Sequence, residues 1–403
     1  MKYDFETIVS RQNIGNIKDV FRPKPLKDKD FISFAGAEFD FKTAPSVIEA
    51  VVQCAQNGLL GFTTCTEAYL NQVIWWMQEA RTFTVNPRWI VPTNGTIFSL
   101  ATALRAFTSS GDGMIMFAPE YYRYKSTALR NGRTVASCPL IQSELTYEID
   151  FALLEELMAV PANKMLVFSN PANPIGRIWT KDELARIAIL AARHDVVVFS
   201  DEIFAEVAFN GLRVTPYIEA AGEGAHCLVS TSLGKAFSFT GVNHANLIIS
   251  DEATRTTFTT QRDIDHFGSI DPVLHAAMFG AYSPEGLAWL SEMVTYVHEN
   301  YIFLKGWLAV NLPEIRLFDL EGSYVAWLDL SGLGLCDKGL AHFLDEQALF
   351  HMDSGDSYGG SAQFRRINIA TPRQELVAAL SRLAKAVAAR GAAAWAYKEA
   401  CHA

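Results

Sequence analysis

Cysteine is scarce in this chain: six in 403 residues, at positions 54, 65, 138, 227, 336 and 401, with no CxxC pair. That scatter excludes a zinc ribbon and a disulfide scaffold, and reduced thiols in a cytoplasmic protein are the simplest reading. Positive charge is also short, with 34 Lys and Arg against 44 Asp and Glu, a net charge of −10. This balance argues against non-specific binding to nucleic acid or to an anionic membrane. No apolar run is long and clean enough for a membrane span, because the longest uncharged stretches carry Gln, Asn, Thr, Gly or Pro. The opening "MKYDFETIVSRQNIG" lacks an apolar core, so no signal peptide is expected. Internal repeats and low-complexity segments are absent as well. What is present is an ordinary globular composition, half hydrophobic and 19% charged, long enough for more than one domain.

The middle of the chain alternates strands and helices. Short apolar, β-branched runs at 88–93, 113–118, 164–169, 195–200 and 226–231 read as strands buried on both faces. Helical patterns separate them, among them 180–194, which opens with a Thr180–Glu183 capping box. The alternation predicts an α/β domain with a mostly parallel sheet. Beyond about residue 272 the pattern changes to a long amphipathic helix (286–310), strands at 323–330 and 365–370, and a helical C-terminus. The expected division is a large domain over 46–285 and a smaller α+β domain built from 1–45 and 286–403.

Ligands of open α/β sheets bind beyond the carboxyl ends of the strands. At those ends lie Asn94-Gly95-Thr96, Tyr121 in "PEYY", Asn173 in "NPANPIG", Asp201 in "FSDEIF", and Ser232 with Lys235 in "STSLGKAFSFTGVNHANLII". Lys235 is the only formally charged side chain between Gly224 and Ser250. Each feature taken alone has a plain structural account: a helix cap, a rigid turn, a core aromatic, an N-cap, a lysine that snorkels to water. Together they amount to an anion cradle at a helix N-terminus, a flat aromatic, a carboxylate and a poorly solvated amine. Those are the requirements of pyridoxal 5′-phosphate, whose aldehyde takes a lysine and whose ring nitrogen takes a carboxylate.

Seven ordered stretches carry a resemblance over nearly the whole chain: "GFTTCTEAYLNQVIWWMQEAR", "AFTSSGDGMIMFAPEYY", "NPANPIGRIWTKDEL", "RHDVVVFSDEI", "GKAFSFTGVNHANLII", "EGSYVAWLDLSGLGL" and "FRRINIATPR". The sequence resembles the fold-type I, class I/II aminotransferase superfamily, and within it the MalY/PatB-like branch of cystathionine β-lyases (C–S lyases). The resemblance implies the aspartate aminotransferase-like fold and a homodimer with shared active sites. It further implies that Lys235 binds the cofactor and moves the Cα proton, and that Asp201 pairs with the pyridine nitrogen. Asn173 would donate to the ring oxygen and Tyr121 would stack on the ring. Gly95, Thr96 and Ser232 would hold the phosphate. Arg366 would grip the substrate α-carboxylate, with Gly36 and Ala37 beside it. Four positions depart from the pattern: Phe204 in place of a tyrosine or histidine, Phe62 in place of a tyrosine that reaches the neighbouring subunit, Asn243 where aminotransferases carry arginine, and Gly234, before the lysine, where the C–S lyase branch often has serine.

The activity so implied is β-elimination from a cystathionine-like amino acid, giving thiol, pyruvate and ammonia. Transamination of neutral or aromatic amino acids is the alternative, and a non-catalytic cofactor-binding regulator is a third. "GVNHANLII", "EGSYVAWLDL" and Asn243 favour the lyase.

Overall fold

The structure, a computed structural model, describes residues 1–12, 14–20 and 31–391. Its main sheet has seven strands: β2 (Ile90–Thr93), β3 (Gly113–Ala118), β4 (Thr134–Pro139), β7 (Asn163–Ser169), β8 (Val197–Asp201), β9 (Cys227–Thr231) and β10 (Ala245–Ile248). They lie in the order β2-β10-β9-β8-β7-β3-β4. All neighbours are parallel except β10, which runs antiparallel to both β2 and β9. Five of the strands are those expected from the apolar runs. Strand β8 is buried at every position and β7 at all but Lys164, which explains their lack of alternation. Strand β4 escapes sequence reading because it lies at the sheet edge, with mostly exposed or half-buried residues. The edge strand is followed by a small hairpin of β5 (Ile141–Ser143) and β6 (Thr146–Glu148).

The connecting helices follow their sequence signals. The helix Lys181–Arg193 opens on the expected capping box, with the Thr180 hydroxyl accepting from Glu183 N–H and the Glu183 carboxylate reaching back. The helix Pro284–Asn311 extends about 42 Å at 1.5 Å per residue. Its buried stripe of Gly286, Trp289, Leu290, Met293, Tyr296, Val297, Asn300, Tyr301, Leu304 and Leu308 follows the helical period.

A second, antiparallel sheet has four strands in the order β11 (Arg316–Leu317), β12 (Val325–Asp329), β15 (Phe364–Asn368) and β14 (Asp353–Ser354). The N-terminal segment joins this side of the molecule. Strand β1 (Ile32–Ser33) pairs in parallel with β13 (Phe350–His351), and Asn368 N–H donates to Phe34 O at 2.9 Å. Phe5, Phe39, Phe41, Trp289 and Tyr296 lock it in an aromatic cluster. The architecture is thus α/β, a large mostly parallel sheet with a smaller α+β unit. No helix among the described residues is long and apolar enough to cross a membrane. Cys54, Cys65, Cys138 and Cys227 are free thiols, whereas Cys336 is disulfide-bonded, against the expectation of reduced thiols throughout.

Candidate functional site

Register brings the carboxyl ends of three strands to one level: Ser169 of β7 lies opposite Asp201 of β8, and Asp201 opposite Ser230 of β9. The chain leaves β9 through Ser232, whose hydroxyl donates to His244 O at 2.7 Å and accepts from Gly234 N–H at 3.0 Å. That cap starts a single helical turn, Leu233–Ala236, which carries Lys235. The lysine does not reach out to water. Its Nζ donates to Ala37 O at 2.8 Å and lies 5.6 Å from the centre of the Phe204 ring. Burial, reinforced by Arg366, pulls the amine down from its usual 10.5 to about 8, with Asp201 opposing. A neutral amine, the nucleophilic form, is therefore accessible near neutral pH.

Asp201 ends β8 and is only 3% exposed. The Tyr124 hydroxyl donates to Oδ2, and Ile203 N–H donates to Oδ1 at 3.2 Å. A turn rather than a helix follows, so the carboxylate is not an N-cap. Burial pushes it up to about 6 even against these donors. A buried acid of that kind is stabilised in its charged form by an adjacent cation.

The loop after β3 contributes Tyr121, whose ring stands edge-on to Tyr124 at 5.4 Å. Its position rests on Glu120, which sequence reading passed over. This buried carboxylate accepts from Tyr121 N–H (2.8 Å), Ser169 Oγ (2.6 Å) and Ser169 N–H (3.0 Å). Ser169 Oγ in turn accepts from Asn173 N–H at 2.9 Å. One carboxylate thus fixes both the aromatic loop and the "NPANP" turn, and burial pushes it up to about 7.

Gly95 precedes the helix Thr96–Phe107 with φ +99°, a backbone state that side chains other than glycine rarely adopt. No side chain caps this helix, so the first-turn N–H groups and the dipole are left for an anion. Thr96 Oγ1 and Ser230 Oγ share a hydrogen bond at 2.9 Å beside it. The backbone of Asn243 and His244 runs alongside Gly95. His244 is buried with Nδ1 unpartnered, while Nε2 meets the Tyr69 hydroxyl at 3.0 Å.

Arg366 lies in mid-strand on β15, opposite Trp327 of β12 and Asp353 of β14. Its Nη1 donates to Asn173 Oδ1 at 2.9 Å; Nε (3.1 Å) and Nη2 (2.6 Å) both donate to Asp353 Oδ2. Gly36 N–H donates to that same oxygen at 2.9 Å. Asp353, like Glu120 and Tyr124, was not singled out from the sequence. Tyr124 alone had a local signal, lying one helical turn beyond Tyr121.

The structure therefore gathers the candidates named from sequence. Gly36 and Ala37 stand beside Arg366 and Lys235; Asn173 bonds Arg366; Tyr121 packs on the partner of Asp201; Gly95, Thr96 and Ser232 line the end of the sheet nearest β9 and β2. Two of the departing positions are exposed: Phe62 fully so, and Asn243, whose backbone nevertheless borders Gly95. Phe204 is buried, edge-on to Tyr324 at 5.1 Å.

Comparison with known proteins matches residues 29–383 to the family of class I and II aminotransferases. Cystathionine β-lyase PatB of Bacillus subtilis is 30% identical over 82% of this chain and 86% of its own length. Protein MalY of Escherichia coli is 27% identical over 96% and 99%. Cystalysin from Treponema denticola, whose crystal structure contains pyridoxal 5′-phosphate, superposes with a TM-score of 0.91 at 31% identity, covering 96% of this chain and 99% of that one. The aspartate aminotransferase-like architecture expected from the sequence is the one observed, and the chain belongs to the family of class I and II aminotransferases.

Proposed function

We propose that the protein is a pyridoxal 5′-phosphate-dependent β-lyase that cleaves the Cβ–S bond of a cystathionine-like amino acid, giving thiol, pyruvate and ammonia with consumption of water. The observation that carries this reading is the placement of the half-buried Lys235 amine and the buried Asp201 carboxylate at adjacent strand ends, beside an uncapped helix N-terminus. The residues fit the cofactor. First-turn N–H groups after Gly95, with the Thr96 and Ser232 hydroxyls, would hold its phosphate. Asp201, braced by Tyr124, would face the ring nitrogen and keep it protonated. Tyr121 would cover the ring, and Asn173 would approach the ring oxygen. When bound, the cofactor supplies an aldehyde for an amine and a ring that stabilises negative charge at Cα.

The chain's own side chains do the rest. Lys235 Nζ takes the proton from Cα, a step suited to an amine whose affinity for protons has been lowered by burial. Arg366 orients the substrate through its carboxylate, with Gly36 and Ala37 closing that side. Phe204, next to the amine, keeps water away. The lyase outcome is supported by the name of PatB among the relatives. We also propose a homodimer: Leu59, Leu60 and Phe62 are exposed together on one loop, as expected of a surface that a second copy covers. Residues 46–285 would form the large domain and 1–45 with 286–403 the small one.

The test is incubation with L-cystathionine, following thiol and pyruvate with and without an added keto acid. Thiol release independent of keto acid is expected; turnover that needs the keto acid and releases no thiol would establish an aminotransferase instead. The visible absorption band of the lysine-bound cofactor should vanish in Lys235→Ala.

A further inference from the structure

Arg366 is already committed within the resting molecule. The side edge of its guanidinium, Nε and Nη2, closes on Asp353 Oδ2. That same oxygen takes the N–H of Gly36. A carboxylate oxygen held by a guanidinium fork and a backbone N–H is the set of contacts that a substrate carboxylate would seek from these residues. The arrangement is rigidly built. Asp353 and Arg366 are cross-strand partners on β14 and β15, Arg366 is buried, and Asn173 and the Tyr358 ring, 4.9 Å away, hold its remaining faces. Gly36 has φ +76°, so its N–H is aimed by a turn that few other residues adopt.

We infer that Asp353 is a specificity-determining residue, a resident carboxylate within the subsite that Arg366 and Gly36 form for the substrate's carboxyl group. The inference rests on the function proposed above and deepens it. An incoming carboxylate meets a guanidinium whose charge is already balanced, and a second negative charge close by. The Gly36 N–H is occupied as well. The consequence is weak selection for a free carboxylate: an amino acid and its carboxamide bind with similar affinity, and the site admits amino compounds whose carboxyl group is masked.

The experiment measures binding of L-alanine and L-alaninamide to the cofactor-loaded protein by calorimetry and by the shift of its visible absorption. Three proteins are compared: the wild type, Asp353→Asn and Asp353→Ser. Both substitutions keep an acceptor for Gly36 N–H and remove the charge, and the serine variant carries the test if the asparagine variant is poorly folded. Removing a charge-assisted competitor should tighten L-alanine by roughly tenfold and leave L-alaninamide within about twofold. Unchanged or weaker L-alanine binding in both variants, or equal shifts for both ligands, would overturn the inference. The cystathionine assay separates the two claims. Thiol release with an unresponsive alanine pair sinks the subsite and spares the lyase; a responsive pair without thiol release does the reverse.

Discussion

The two sheets supply the site in different ways. The parallel sheet contributes from its strand ends: Ser169, Asp201, Ser230 and, one turn later, Lys235 stand where β7, β8 and β9 stop. The antiparallel sheet contributes from mid-strand, through Arg366 and the residue paired across from it. Strand ends collect backbone N–H groups and helix dipoles, which suit a charged cofactor. A mid-strand pair is held on both sides by the ladder, which suits a fixed grip on a substrate. Under the proposed function, the division of labour would be chemistry on the parallel side and recognition on the antiparallel side.

Substitutions can break that division, beginning with the largest effect. Asp201→Asn should lower kcat by about 10²–10³-fold, the usual loss when a preorganised charge at a reacting group is removed; a change confined to KM would contradict the division. Next is Glu120, which joins the ends of β3 and β7. Its acid is raised from about 4.5 to about 7 by burial, so the folded protein holds a proton that the unfolded chain releases. Stability therefore falls as pH rises between those two values, by on the order of 3 kcal/mol. Urea denaturation across that window should show the slope in wild type and lose most of it in Glu120→Gln, while Asp201, raised to about 6, leaves a smaller residue. Arg366→Lys keeps the charge but not the fork; because Asp353 already takes Nε and Nη2, it should raise KM by only about fivefold with kcat within about threefold, a loss of about 1 kcal/mol of hydrogen bonding. The smallest effect is expected at Phe204→Tyr, where a hydroxyl added beside Lys235 should raise kcat by about threefold without changing KM.

The same contrast explains what could be read from the sequence. The parallel strands were legible because burial on both faces leaves unbroken apolar runs, and a polar residue ending such a run is conspicuous: Asp201 after "VVFS", Lys235 after "STSLG". Strand β4 was not, because its edge position removes that pattern. The antiparallel direction of β10 was hidden too, since "ANLI" is apolar whichever way it runs. Glu120 and Asp353 were passed over for another reason. An acidic residue in a loop or a two-residue strand looks like a solvated charge, and only packing of distant segments reveals that three donors converge on each. Arg366 was reached through the resemblance rather than through pattern.

The carbonyl of Ala37 receives Lys235 Nζ at 2.8 Å and the Tyr324 hydroxyl at 3.1 Å. Tyr324 immediately precedes β12, and the strand upstream of Ala37, β1, is bonded to β13, which runs on towards β14. The lysine springs from the parallel sheet, yet its resting partner is anchored to the antiparallel one. One carbonyl oxygen thus joins the two sheets, so a substitution at Tyr324 or along β1 would reach the surroundings of the amine without touching the lysine itself.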